Sequence, residues 1–201
     1  MDRFLKSVSV IFHPLIMPLV GVGFYFFVSP RFTPQEIVYA KLISLAILTI
    51  VLPVLIYFLL KTLGKIQTIY LKTTTERIIP LALNSVIILI ILLRIFTQSQ
   101  FIELYFFFVG VLISTMSCLI LAVFKFKASI HMIAISGLFM FFIDLSIHFN
   151  ININDILALM CVITGAVATS RLHLKAHTYK ELLMGIFIGM MPQLILVTYW
   201  L

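Results

Sequence analysis

Hydrophobic residues in this chain fall in long, nearly unbroken runs. They show neither the three-to-four-residue spacing of a helix half-buried in a soluble domain nor the alternation of a half-buried strand. The runs cover approximately 9–28, 38–60, 78–96, 101–123, 131–148, 154–170 and 178–199. A helix needs about 20 mostly apolar residues to cross the hydrocarbon of a bilayer. The pattern therefore predicts an all-α, polytopic transmembrane helical bundle of about seven spans, a single integral-membrane domain over 1–201. Between the runs, Ser29–Gln35 carries two prolines and Arg31, 61–77 is the longest polar interval, and Thr97–Gln100 and Asn150–Asn154 are short and free of basic residues. Pro53, Pro80 and Pro192 mark bends or helix ends. Gly185 and Gly189, four apart, permit close helix packing. The start of the chain, with Arg3 and Lys6 before an apolar run, mimics a signal peptide. His13, Pro14 and Pro18 interrupt it without a small-residue cleavage site, so it reads as an uncleaved first span.

Composition agrees with the pattern. Of 201 residues, 63% are hydrophobic and only 10% charged, and mean hydropathy is +1.22. A soluble domain of this size carries far more charge. Cys118 and Cys161 both sit in apolar runs, as small buried residues rather than a disulfide framework or metal knuckle. The net charge of +7 would suggest nucleic acid in a soluble protein. Here the basic residues cluster in loops, so the excess is first a topology signal, and no nucleic-acid partner is expected. With seven spans, alternate loops share a face. The N-terminal face receives eleven basic residues, from Arg3 and Lys6 through Lys61–Arg77 and Lys125–Lys127 to Arg171–Lys180. The other receives Arg31, Lys41 and Arg94. The positive-inside rule puts the richer face in the cytoplasm.

Three polar clusters on that richer face carry candidate chemistry: Lys72 and Arg77 before the third span, Lys125–His131 before the fifth, and Ser170, Arg171, His177 and Glu181 around the sixth-to-seventh turn. Two spans separate successive clusters, so all three return to one side. Arginine forks and lysine point charges suit phosphate oxygens, and helix N-termini add free backbone N–H groups. Neutral His131 or His177 could attack phosphorus or move a proton. Glu181, four residues after His177, shares its helical face and could hold one ring nitrogen. The remaining polar groups read more plainly. Lys61, Lys65, Lys175 and Lys180 are membrane-edge anchors, and His13, His148 and His173 are structural. Glu103 is interfacial. Asp144, an acid inside a span, is placed to bond His148 or to help a polar opening.

These residues resemble the type-2 phosphatidic-acid phosphatase (PAP2) superfamily, whose three signatures are K-x6-R-P, P-S-G-H and S-R-x5-H-x3-D. Ser170, Arg171 and His177 match the third, with Glu181 in place of its aspartate and Gly185 where a glycine is common. Ala128-Ser129-Ile130-His131 keeps the serine and histidine of the second. Lys72 precedes Arg77 by five positions rather than seven, and Pro80 follows two residues late. The resemblance spans a catalytic core over 72–190, and the opening IFHPLIMP resembles small PAP2-like membrane proteins of Bacteroidetes-type bacteria. It implies a bacterial inner-membrane enzyme that hydrolyses a phosphorylated membrane lipid: polyprenyl diphosphate, phosphatidylglycerol phosphate, phosphatidate or lipid A phosphate. His177 would be the nucleophile forming a phosphohistidine, His131 would protonate the leaving oxygen, and Glu181 would orient His177. Lys72, Arg77 and Arg171 would hold the phosphoryl oxygens, assisted by Ser129. No metal or other cofactor is implied. The alternatives are a non-catalytic relative that binds a lipid headgroup or acts as a scaffold, and a transporter of an anionic lipid.

Overall fold

The computed structural model of the chain describes residues 2–66 and 73–201. Its elements are α1 (Asp2–Ile11), α2 (Met17–Val28), α3 (Gln35–Ala46), a π turn (Ile47–Val51), α4 (Leu52–Thr62), α5 (Thr74–Arg94), α6 (Ile102–Val123), α7 (Ile130–His148), α8 (Asn154–His173), α9 (Tyr179–Leu196) and a closing 3₁₀ turn (Val197–Tyr199). The π turn joins α3 and α4 into one 28-residue helix, Gln35–Thr62. It lies just ahead of Pro53, where the proline ring would clash with the carbonyl four residues back and a bulge relieves the crowding. Among the described residues, six helices are long and apolar enough to cross a membrane, and the molecule is an all-α, polytopic helical bundle.

The first expected span, 9–28, is not one helix. It breaks around His13–Pro14 into α1 and α2, because a proline cannot donate to the ladder and crowds the preceding turn. At 12 residues, α2 is only about 18 Å long at 1.5 Å per residue. Its flanks nonetheless reach both ends of α7. The His13 ring packs edge-on against His131 at the start of α7, with centroids 5.4 Å apart. Arg31 reaches a carboxylate that also binds His148 at the end of α7. α1 turns Leu5, Val8 and Ser9 inward and packs on α8, leaving Arg3, Lys6 and Ser7 exposed.

α7 is the centre of the bundle, with 61% of its apolar window buried, whereas Gln35–Thr62 is peripheral at 11%. The peripheral helix shows Ile43, Leu55, Phe58 and Leu59 to its surroundings. These are surfaces that lipid rather than water would cover. α7 and α9 approach closely through glycines. A Cβ on Gly185 would lie 2.8 Å from the Ser129 carbonyl, and one on Gly137 would lie 3.1 Å from the Gly189 carbonyl. The Gly185/Gly189 spacing thus does what it suggested. Without water to compete, buried hydrogen bonds also tie α9 to α6. Ser114 donates to the Ile188 carbonyl at 2.8 Å, and Gln193 Nε2 donates to the Phe107 carbonyl at 3.0 Å.

Several helices end in the same way. Gly64, Lys125, Asn150 and Lys175 have positive φ, and the N–H of each following residue bonds a carbonyl five positions back, as in Lys65→Leu60, Phe126→Leu121, Ile151→Ser146 and Ala176→Arg171. This is the left-handed stop that satisfies orphan carbonyls at a helix C-terminus. The turn at Lys175 sends the chain from α8 into α9 within a few residues and fixes where His177 lies.

At the opposite end of the bundle from His131, one acid expectation needs correction. Glu103, at the start of α6, is fully buried within the protein. The exposed Arg31 grips it with both terminal nitrogens, at 2.8 and 3.1 Å. Tyr25 donates to it at 3.2 Å, and His148 Nε2 meets it at 3.2 Å. A carboxylate out of water needs such partners. His148 is therefore paired with Glu103 and not with Asp144. Both Asp144 oxygens are buried without a hydrogen-bond partner among the described residues. Cys118 is buried as expected, but Cys161 is exposed on α8.

Candidate functional site

His177 occupies the residue before the N-cap of α9. The local sequence His177-Thr178-Tyr179-Lys180-Glu181 builds a capping box. The Thr178 hydroxyl accepts from the Glu181 N–H at 3.4 Å, and the Glu181 carboxylate accepts from the Thr178 N–H at 3.0 Å. Such a box satisfies two donors that the first helical turn leaves open. The same carboxylate oxygen lies 2.8 Å from His177 Nδ1. Glu181 is thus both a capping residue and the partner of the imidazole, and the bond leaves the proton on Nδ1 and the lone pair on Nε2. Among the described residues, no hydrogen bond is made to Nε2.

The His177 side chain is 2% exposed, and its pKa is lowered to about 4. Burial is the main cause. The Glu181 bond opposes it, and the positive charges of Arg77, Lys127 and Arg171 add to it. The ring is therefore neutral near pH 7. Lys127, from the α6–α7 turn, is also pushed below the ordinary lysine value by burial and by Arg77. Its ammonium donates to the Ala176 carbonyl at 3.1 Å and so ties that turn to the α8–α9 turn. A shallow depression of about 390 Å³ opens over Lys127, Leu172, Lys175, Ala176, His177, Thr178 and Glu181.

The other expected residues gather around this end of the bundle. Arg77 begins α5, is buried, and donates from a terminal nitrogen to the Ala128 carbonyl at 2.8 Å. Ser129 is the N-cap of α7. Its N–H goes to the Glu181 carbonyl at 3.1 Å, and its hydroxyl is buried without a hydrogen-bond partner among the described residues. His131 Nε2 donates to the Ser9 carbonyl at 3.2 Å, since a carbonyl can only accept. Arg171 donates to the Ser9 hydroxyl at 3.3 Å, and the Ser170 hydroxyl bonds both Ser9, at 2.8 Å, and the Leu5 carbonyl, at 2.7 Å. Arg77, Ser129, His131, Arg171, His177 and Glu181 therefore belong to one connected end of the bundle. Lys72 lies outside the described residues.

Sequence reasoning missed three members of this cluster. Lys127 stood in the second polar cluster but was given no role of its own. The capping box was legible as Thr178-x-x-Glu181, and an equivalent box at Thr73-x-x-Glu76 opens α5. Ser9 carries no local signal, because its partners lie 122 to 162 residues away. Among the described residues, no group of three or more His, Cys, Asp or Glu is placed to hold a metal ion. No protein-family model, curated protein or solved structure matches the chain.

Proposed function

We propose that this protein is a membrane-embedded phosphatase or diphosphatase that hydrolyses a phosphorylated lipid through a phosphohistidine intermediate. The observation that carries the reading is the state of His177: a buried, neutral imidazole, held at Nδ1 by Glu181 with Nε2 unengaged, in the field of Arg77, Lys127 and Arg171. A neutral ring is nucleophilic, and the partner at Nδ1 stabilises the cation that forms on attack. The cations supply the charge that a transferring phosphoryl group needs.

In this reading, the His177 Nε2 lone pair forms a bond to phosphorus as the bond to the lipid oxygen breaks. The leaving oxygen takes a proton from His131. With Nε2–H committed to the Ser9 carbonyl, Nδ1 is the nitrogen left to relay a proton: in this reading it takes one from the singly protonated phosphoryl group and passes it to the leaving oxygen. Water then attacks phosphorus, returns a proton to His131, and frees phosphate and His177. Arg77, Arg171 and Lys72 hold the phosphoryl oxygens, with Lys127 added to that set. The Ser129 N–H already serves Glu181, so its part falls to the hydroxyl. In this reading the broken His13–Arg31 segment counts as a first membrane pass ahead of the six long helices, and the positive-inside rule assigns the site to the cytoplasmic side of a bacterial inner membrane.

The test is phosphate release by the purified, reconstituted protein from a panel of phosphatidate, phosphatidylglycerol phosphate and polyprenyl diphosphate. Release that is abolished in His177→Ala, with acid-labile label trapped on the wild type, supports the reading. Undiminished release by His177→Ala would sink the nucleophile. Headgroup binding without turnover across the panel would replace the enzyme with a lipid-binding protein.

A further inference from the structure

We infer that the N-terminal helix is part of the site, and that Ser9 is a positioning residue that aligns His131 and Arg171. The inference rests on the phosphoryl-transfer reading above and extends it to a segment outside the 72–190 core.

Ser9 lies in the last turn of α1, where carbonyls run out of intrahelical donors. The Val8 carbonyl takes the Phe12 N–H as the helix closes. The chain then turns at His13–Pro14, and the Ser9 carbonyl accepts instead from His131 Nε2 at 3.2 Å. That bond selects one tautomer and turns Nδ1 into the working atom of His131. The carbonyl thus does for His131 what the Glu181 carboxylate does for His177. The Ser9 hydroxyl makes the second link. It accepts from an Arg171 terminal nitrogen at 3.3 Å and donates to the Ser170 hydroxyl at 2.8 Å. Ser170 in turn donates to the Leu5 carbonyl, so α1 is held at two points, one turn apart.

The geometry has a specific consequence. His131 is carried by α7 and Arg171 by α8, and no hydrogen bond between the two is seen among the described residues. Ser9 bonds both, one through its backbone and one through its side chain. Removing the hydroxyl frees the Arg171 fork on one side and loosens the turn that presents the carbonyl to His131. Groups that align a reacting residue without touching substrate commonly change rate by tenfold to a hundredfold.

The experiment uses the full chain in nanodiscs containing phosphatidate and compares wild type, Ser9→Ala and Ser9→Thr at equal folded concentration. The expected result is a kcat lower by about tenfold or more in Ser9→Ala, KM within about threefold of wild type, and recovery of most of kcat in Ser9→Thr, which restores the hydroxyl. If Ser9→Ala does not fold, Ser9→Cys, a near-isostere with a weaker hydrogen-bonding group, takes its place. Three outcomes overturn the inference while leaving the reading of His177 intact: an unchanged kcat in Ser9→Ala, equal losses in Ala and Thr, or a loss confined to KM. No phosphate release by the wild type on this lipid or on the wider panel refutes the phosphoryl-transfer reading itself, and the inference with it.

Discussion

Shortening Glu181 to aspartate brings in the residue that the PAP2 signature carries at this spacing, and the structure predicts that it weakens this protein. The Glu181 carboxylate serves two donors at once, His177 Nδ1 at 2.8 Å and the Thr178 N–H at 3.0 Å. Removing one methylene withdraws the carboxylate by about 1.5 Å, which carries at least one of these contacts past the 3.5 Å limit of a useful bond. Loss of the cap costs about 1 kcal/mol of stability. Loss of a charge-assisted bond to the imidazole costs about 1.5–3 kcal/mol. Because the helix start can relax toward the shorter arm, the expected net loss for Glu181→Asp is about 2 kcal/mol. If the imidazole bond is the one surrendered, kcat falls by about tenfold or more, at 1.36 kcal/mol per decade. Glu181→Gln is the companion variant. Glutamine completes a capping box as well as glutamate does, and its amide oxygen still reaches Nδ1. This variant keeps most of the stability but loses the negative charge that supports an imidazolium-like transition state. Thermal unfolding in one detergent, together with phosphate release, reads both quantities. Stability and turnover at or above wild type in Glu181→Asp would refute the dual role.

Three further outcomes follow from other parts of the bundle. A Cβ on Gly189 would sit inside contact distance of the Ile133 carbonyl and the Ser136 hydroxyl and 3.0 Å from the Gly137 nitrogen, whereas one on Gly165 meets nothing within 4 Å. Gly189→Ala should therefore lower thermal stability by about 1–3 kcal/mol, and Gly165→Ala should be neutral or stabilising by up to about 1 kcal/mol; equal effects would contradict the close α7–α9 approach. Arg31→Ala leaves the buried Glu103 carboxylate to Tyr25 and His148 and should cost about 3 kcal/mol, more than Glu103→Gln, whose neutral amide keeps hydrogen bonds without a buried charge; a reversed order would refute the ion-pair account. The pKa of His177 is depressed from 6.5 to about 4, so between these values the unfolded chain binds the extra proton. Its stabilising contribution is complete above pH 6.5 and is lost as pH falls toward 4. His177→Asn should flatten the wild-type decline of stability across that window, and an unchanged slope would show that the ring is not held neutral.

What the sequence determined alone was whatever depends on local pattern. The apolar runs specify the helices, because length and hydropathy decide whether a segment prefers hydrocarbon. Counting them brings Arg77, His131, Arg171 and His177 to one side without any knowledge of packing. The spacing of His177 and Glu181 suggested a shared helical face; the structure makes the contact differently, through the capping box, with His177 just outside the helix. Tertiary structure decided the rest. His13–Pro14 reads as a minor interruption of a span, but it releases α1 to lie on α8, and only that docking carries Ser9 to residues more than a hundred positions away. Likewise Glu103 looks interfacial in a string of aromatic residues. Its burial is decided by Arg31, from the α2–α3 connection, and His148, from the end of α7. Hydropathy is a property of a segment and can be read in order along the chain. Whether a buried charge or a histidine finds its partner depends on which helices touch, and that is settled by shape, down to the missing side chains at Gly137, Gly185 and Gly189.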